Sequence, residues 1–282
     1  MRGGIVIDAA LFRHKHQLWL RLAFLSFAAS EPQIKSRLYE FSQIEFRHLK
    51  WLSQHLYDAR IPYDYGRDKT FGIEFQTLSE GLSGAVAAIE TANALYDASE
   101  LGERMRRDER YILGVLDAYR PPCIDTASAF DRRRVWSDAP LDTAQTDALS
   151  LFLFEELYKE YELILIYLYR LVRATSATQS SSFTDLIDES HFHLRSFGEM
   201  MAKMGILALP RELHPRTYVI TDMEKFLRNG IVEEENAKEE CRRLSETITD
   251  EKLSAFFEFI NFQESYHIEI MKKLLEERLW NN

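Results

Sequence analysis

Glycine and proline are scarce in this chain, 11 and 7 among 282 residues. Little material is therefore available for tight hairpin turns, and long stretches run without a helix breaker. Cysteine is nearly absent. Cys123 and Cys241 have no CxxC spacing, which excludes a disulfide framework and points to a reduced intracellular compartment. Positive charge is also in deficit, with 35 Lys and Arg against 45 Asp and Glu and a net charge of −10. Nucleic-acid partners require the opposite balance, and the arginine groups at 104–107 and 132–134 are short and local. Long apolar runs are missing as well. Arg21 interrupts the run at 18–29, the run at 163–169 is far short of the roughly 20 residues that cross a bilayer, and the N-terminal apolar stretch is too short for a signal peptide. The expectation is a soluble, cytoplasmic protein with neither a nucleic-acid nor a membrane partner.

What is present is helical periodicity. Apolar residues recur at three- and four-residue spacing almost throughout, alternation of period two is hard to find, and the fold class expected is all-α. Helices are expected over about 7–29, 32–58, 72–97 and 100–119, then over about 143–174, 183–204, 221–246 and 250–279. Pro32 marks the start of the second helix, and Thr249-Asp250 caps the last. The connections alternate: short, long, short in each half, with the polar tract 175–182 making the first link of the second half looser. Two antiparallel helix pairs joined by a long crossover between the second and third helices form a recognised four-helix bundle. Residues 1–119 and 143–282 are thus expected to form two such bundles in tandem, with 120–142, which holds Pro121-Pro122 and a charge run, as their linker.

The chemistry concentrates in Glu-x-x-His pairs. Residues at i and i+3 share a helix face, so such a pair can present a carboxylate and an imidazole to one ion. With 8 His in the chain about 0.8 such pairs are expected by chance, and two occur, Glu45/His48 and Glu264/His267. The count settles little, so placement must decide. In the second half, Glu234 precedes Glu264 by 30 residues, a separation that an antiparallel pair with a tight turn brings to one height. Asp188 and His191 repeat the motif with a shorter carboxylate, and Glu160 lies 28 residues before Asp188. Glu160, Asp188, His191, Glu234, Glu264 and His267 are therefore the expected metal ligands. Glu156 in place of Glu160, Glu235 in place of Glu234, and a shifted pair, Glu189/His193, remain open. Acidic runs such as 155–162 and 233–235 are ordinarily solvated faces.

The first half offers a weaker set, Glu45, His48, Glu80 and Glu109. Ile112 stands where a second imidazole is wanted, and Gln17 where the first helix should supply a carboxylate. His14 and His16 are read as exposed. Tyr161, Tyr167 and Tyr266 lie near proposed ligands and are read chiefly as packing residues, with second-shell hydrogen bonding or radical relay as the alternative.

Through Glu160, Asp188-Glu-Ser-His191, Glu234 and Glu264-Ser-Tyr-His267, and less strongly through Glu45-Phe-Arg-His48, the chain resembles the ferritin-like superfamily, which includes ferritins, bacterioferritins, rubrerythrins and manganese catalases. The resemblance implies two iron ions per site, or manganese instead, and an oxidase, peroxidase or oxygenase acting on dioxygen or peroxide, with room for an organic substrate and a homo-oligomer. The chain departs from the family in the Asp at 188, the absence of rubrerythrin-type CxxC pairs, and a tandem layout unlike that of the single-bundle storage cages. A different class of function, a metal-free bundle acting as a scaffold or partner-binding protein, would leave the same helices without an ion.

Overall fold

In the computed structural model of the chain, residues 9–66, 75, 77–119, 136, 139–207 and 213–277 are described. They are helical, with no β-strand among them. In chain order the helices are α1 (Ala9–Ala28), α2 (Pro32–Asp58), α3 (Leu78–Leu95), α4 (Glu100–Ala118), α5 (Thr143–Leu171), α6 (Ala177–Lys203), the single turn α7 (Pro215–Tyr218), α8 (Met223–Thr247) and α9 (Glu251–Glu276). No helix among the described residues is long and apolar enough to cross a membrane.

The helix starts follow from side-chain chemistry. Pro32 opens α2, where its missing N–H costs no hydrogen bond. Thr77, Ser99, Ser176, Asp222 and Asp250 each accept from a backbone N–H in the first turn of α3, α4, α6, α8 and α9. Asp142 and Gln145 form a reciprocal capping box on α5. The polar tract 175–182, expected as a loop, is mostly helix. Ser176 caps it, and Ser181 and Thr184 satisfy their hydroxyls on the carbonyls of Thr178 and Ser180. The link between α5 and α6 is therefore short, residues 172–176.

The chain divides into two compact units, Met1–Phe130 with Ile206–Pro215, and Asp131–Gly205 with Arg216–Asn282. Ile206–Pro215, within the crossing expected in the second half, groups with the first unit, and its Ile206, Leu207 and Leu213 are buried. Most of the expected linker lies outside the described residues. Trp136 does not, and it is buried in the second unit with the Lys203 ammonium 5.3 Å from its ring centre.

Within each unit the helices neighbour one another along four sides. α1 packs on α2 and α3, and α4 packs on the same two, which leaves α1 across from α4 and α2 across from α3. The second unit repeats this, with α5 and α9 each packing on α6 and α8. Each core is built from apolar stripes at helical spacing. In α8 the stripe is Leu227, Ala237, Cys241 and Leu244, and in α9 it is Leu253, Phe257, Ile260, Ile268 and Met271. Ionisable side chains interrupt these stripes near mid-helix in both units.

Candidate metal centre

In the second unit Glu160 of α5, His193 of α6, Glu234 of α8, and Glu264 and His267 of α9 are all buried. Helical phase puts them there. Glu234 falls on the apolar stripe of α8 while Glu233 and Glu235 are exposed, and Glu160 shares a face with Leu157, Tyr161 and Ile164. Glu156 lies on the same face of α5 and is 9% exposed, with Lys159 Nζ 3.6 Å from its carboxylate.

These groups lie close together. His193 Nδ1 is 2.8 Å from Glu160 Oε1 and 3.8 Å from Glu264 Oε1. His267 Nδ1 is 2.9 Å from Glu264 Oε2 and 3.7 Å from Glu234 Oε2. The two imidazole centres stand 5.4 Å apart. On its far side His193 Nε2 meets Gln263 Oε1 at 3.2 Å, and Gln263 in turn donates to Glu189 at 2.6 Å. That chain of contacts fixes the ring's orientation.

The electrostatics are those of crowded acids sharing protons. Burial, reinforced by the neighbouring Glu234 carboxylate, pushes Glu264 up to about 8. Burial would raise Glu234 too, but hydrogen bonds from His267 and Glu264 outweigh it and hold Glu234 at about 2. Burial opposes protonation of both imidazoles, yet Glu160 lifts His193 to about 9, and Glu234 with Glu264 lifts His267 to about 11. Burial pushes Glu156 up to about 7. The Tyr167 phenol is held well above its ordinary value by burial and by Glu234, Glu160 and Glu264.

The donor set fits a metal ion. His193, Glu264 and His267 offer ligand atoms that all lie within 4.8 Å of one another, close enough for one ion to reach all three. Glu160 Oε2, His267 Nε2 and the Tyr167 hydroxyl are buried with no hydrogen-bond partner among the described residues. Unsatisfied buried polar atoms are costly, and an ion bound by Glu160 and by His267 once it has lost its proton would remove part of that cost. Imidazole with carboxylate suits iron, manganese or zinc better than a purely oxygen-seeking ion.

Of the residues expected from sequence, Glu160, Glu234, Glu264 and His267 converge. Asp188 does not: it is exposed, because the buried face of α6 runs through Phe183, Leu186, Ile187, Ser190 and Leu194. His191 is buried, but it is not one of the three closely spaced donors. The imidazole from α6 is His193, and the residue three before it is Ser190, not a carboxylate. The spacing of Glu189 to His193, four residues on one face, is the signal that pointed there.

In the first unit Glu45, His48 and Glu109 are buried, and they too offer atoms within 4.8 Å of one another. Glu80 is apart from them, exposed in the first turn of α3. A residue that sequence reasoning missed fills the centre. Lys15 of α1, fully buried, places Nζ 2.6 Å from Glu45 Oε2, in contact with Glu109 Oε1, and 3.2 Å from His48 Nδ1. Tyr96 donates to Glu109 at 2.7 Å, and His48 Nε2 lies 3.0 Å from Asp108. Lysine on the apolar stripe Leu11, Phe12, Trp19 was the available signal. Burial raises Glu45, but Lys15 and His48 overcome it and hold the acid at about 2; Glu109 is pushed up by burial to about 6. By spacing these three residues could hold a metal ion, and in this structure the Lys15 ammonium lies among them.

Two further expectations change. His16 is fully buried, not exposed, donating to the Tyr65 carbonyl at 3.0 Å, and burial drags it down to about 3. His14, half-buried, contacts the Ala88 carbonyl at 2.7 Å. Tyr161 and Tyr167 are core residues, whereas Tyr266 is exposed. Comparisons of the chain with protein-family models, with curated proteins and with solved structures give no match.

Proposed function

We propose that the second unit is the metal centre of a ferritin-like oxidoreductase that acts with dioxygen or peroxide, using iron, or manganese in its place. The observation that supports this most is the convergence of three carboxylates and two imidazoles from all four long helices in a buried interior, with acceptor atoms left unsatisfied. The pairing of helices around each unit is that of a four-helix bundle with one long crossover. Both units are proposed to be of this type.

His193, Glu264 and His267 would hold one ion, and Glu160 and Glu234, with Glu156 one turn away, would complete a site for a second. The ions would supply electrons and a Lewis-acidic surface for reduction of dioxygen or peroxide. The chain's own residues do the rest. Gln263 and Glu189 hold the His193 ring in place, as outer partners of metal ligands generally do. Glu264, titrating near neutral pH, and the Tyr167 hydroxyl are the proton-holding groups nearest the site. Leu157 and Ile164 flank Glu160 on the buried face of α5, and the Phe197 ring packs 5.7 Å from that of His193, so the centre is bordered by apolar side chains. A reduced intracellular setting suits the buried thiol of Cys241.

One observation favours the metal-free scaffold as a second reading. Protonated His193 and His267 can neutralise the carboxylates from within the chain. Metal content separates the two. Purified chain reconstituted with Fe(II) or Mn(II) is expected to retain bound metal and to lose it in Glu264→Gln and His267→Ala; a chain that retains none supports the scaffold.

A further inference from the structure

We propose that Lys15 is a built-in cation that takes the place of a metal ion in the first unit and keeps metal out of it. The ammonium lies within hydrogen-bonding distance of all three groups that would otherwise bind an ion: Glu45 Oε2 at 2.6 Å, Glu109 Oε1 in close contact, and His48 Nδ1 at 3.2 Å. An ammonium has three protons, and here each has one acceptor. In the tautomer whose Nε2–H donates to Asp108 Oδ2 at 3.0 Å, the Nδ1 lone pair faces the ammonium; Arg47 holds Asp108 in turn at 2.9 Å. The Lys15, Glu45, His48 and Glu109 side chains are all buried, so the ammonium is shut in with its three acceptors.

The second unit shows what Lys15 replaces. Lys15 and His48 are 33 residues apart on the first two helices of their unit, and Glu160 and His193 are 33 residues apart on the first two helices of theirs. Each pair meets at its centre across an antiparallel packing. At one place in the shared layout, therefore, the first unit carries an ammonium and the second a carboxylate. Charge at that position decides the outcome: a carboxylate adds a ligand and demands a cation, whereas an ammonium engages one oxygen of each neighbouring carboxylate and repels a second cation. Each unit also keeps one intact Glu-x-x-His on a different helix, Glu45/His48 on α2 and Glu264/His267 on α9.

The proposal stands whether or not the second unit binds metal, and the test separates the two. In the full chain carrying Glu264→Gln and His267→Ala, which removes ligands of the second unit, Co(II) is titrated and followed by equilibrium dialysis and by its visible absorption. With Lys15 present, no Co(II) is expected to bind in a manner abolished by His48→Ala. With Lys15→Glu in the same background, one further equivalent of Co(II) is expected, abolished by His48→Ala and accompanied by a rise in melting temperature on Co(II) addition. Lys15→Ala is the second variant, expected to bind more weakly than Lys15→Glu. Recovery of helical circular dichroism by a Lys15→Glu chain only when Co(II) is added would also support the proposal. Co(II) held by Glu45, His48 and Glu109 while Lys15 is in place overturns it, as do folded Lys15→Glu and Lys15→Ala chains that take up none. If neither variant folds, the titration of the Lys15 chain decides alone.

Discussion

At the scale of single residues, the interior of both units is governed by where protons and positive charges lie. His193 and His267 bear protons in the ion-free protein up to about pH 9 and 11. Coordination requires bare imidazole nitrogen, so binding must displace those protons and affinity must rise with pH. Calorimetric titration with Mn(II) in buffers of different ionisation enthalpy is expected to show about three protons released per centre at neutral pH, two from the imidazoles and one from Glu264; release of none would mean that the imidazoles are not ligands. His16 works in the opposite sense. Its folded value of about 3 lies below its ordinary 6.5, so the unfolded chain takes up a proton first as the pH falls. Stability is therefore intact above pH 6.5 and declines below it toward pH 3, by about 1.4 kcal/mol per pH unit from this group alone. Glu109, Glu156 and Glu264, raised on folding, pull the other way over the same range, so the slope is read as the difference in urea-unfolding free energy between the wild-type chain and His16→Gln from pH 7 to 5, expected to shrink as the pH falls.

Helix phase made part of this legible in advance. Glu234 could be preferred to Glu235 because Ala237 and Cys241 follow at three and seven residues, and it is Glu234 that is buried. On α6 the geometry favours another residue than the motif did. Asp188-x-x-His191 matches a motif, but the apolar residues Leu194 and Phe197 select the face that carries His193. A motif fixes spacing along a helix and leaves its rotation to the apolar residues around it. Lys15 was overlooked for a related reason: a lysine inside an apolar stripe reads as surface until the acids that surround it, from α2 and α4, are brought to it by the fold.

At the scale of elements, helix positions were legible wherever a cap or a proline marked them. α2 was expected over 32–58 and is found there, whereas the start of α6 was displaced because serine-rich sequence was read as loop and Ser176 is a cap. Two glycines make the packing between elements testable. A Cβ on Gly81 of α3 would run into the Leu25 side chain of α1 and come within 3.2 Å of Phe75, so Gly81→Ala should destabilise by about 1–3 kcal/mol through overpacking. That exceeds the roughly 1 kcal/mol of helix propensity gained. A Cβ on Gly114 of α4 would meet nothing within 4 Å, so Gly114→Ala should stabilise by about 0.5–1 kcal/mol. Thermal unfolding of the two variants is expected to move in opposite directions; a shared sign would contradict the packing of α3 on α1. Removing a cap by Ser176→Ala should cost about 1 kcal/mol.

At the scale of the whole molecule, two units with the same helix pairing hold opposite solutions to one problem, how to bury several acids together. One brings an ammonium into contact with both of its carboxylates, and the other sets two imidazoles among three carboxylates; each leaves carboxylate oxygens without a hydrogen-bond partner. The alternation of short and long links was visible in the sequence because link length limits which helices can run antiparallel. The grouping of Ile206–Pro215 with the first unit was not, since nothing in a local apolar pattern states which core a crossover segment joins. The central claim is that the second unit alone binds metal, and metal content per chain tests it most directly. Wild-type protein loaded with Fe(II) or Mn(II), dialysed and measured by elemental analysis, is predicted to keep metal that His193→Ala with His267→Ala removes and that Lys15→Ala does not; a wild-type chain that keeps none, or one whose metal survives loss of both histidines, would contradict the account.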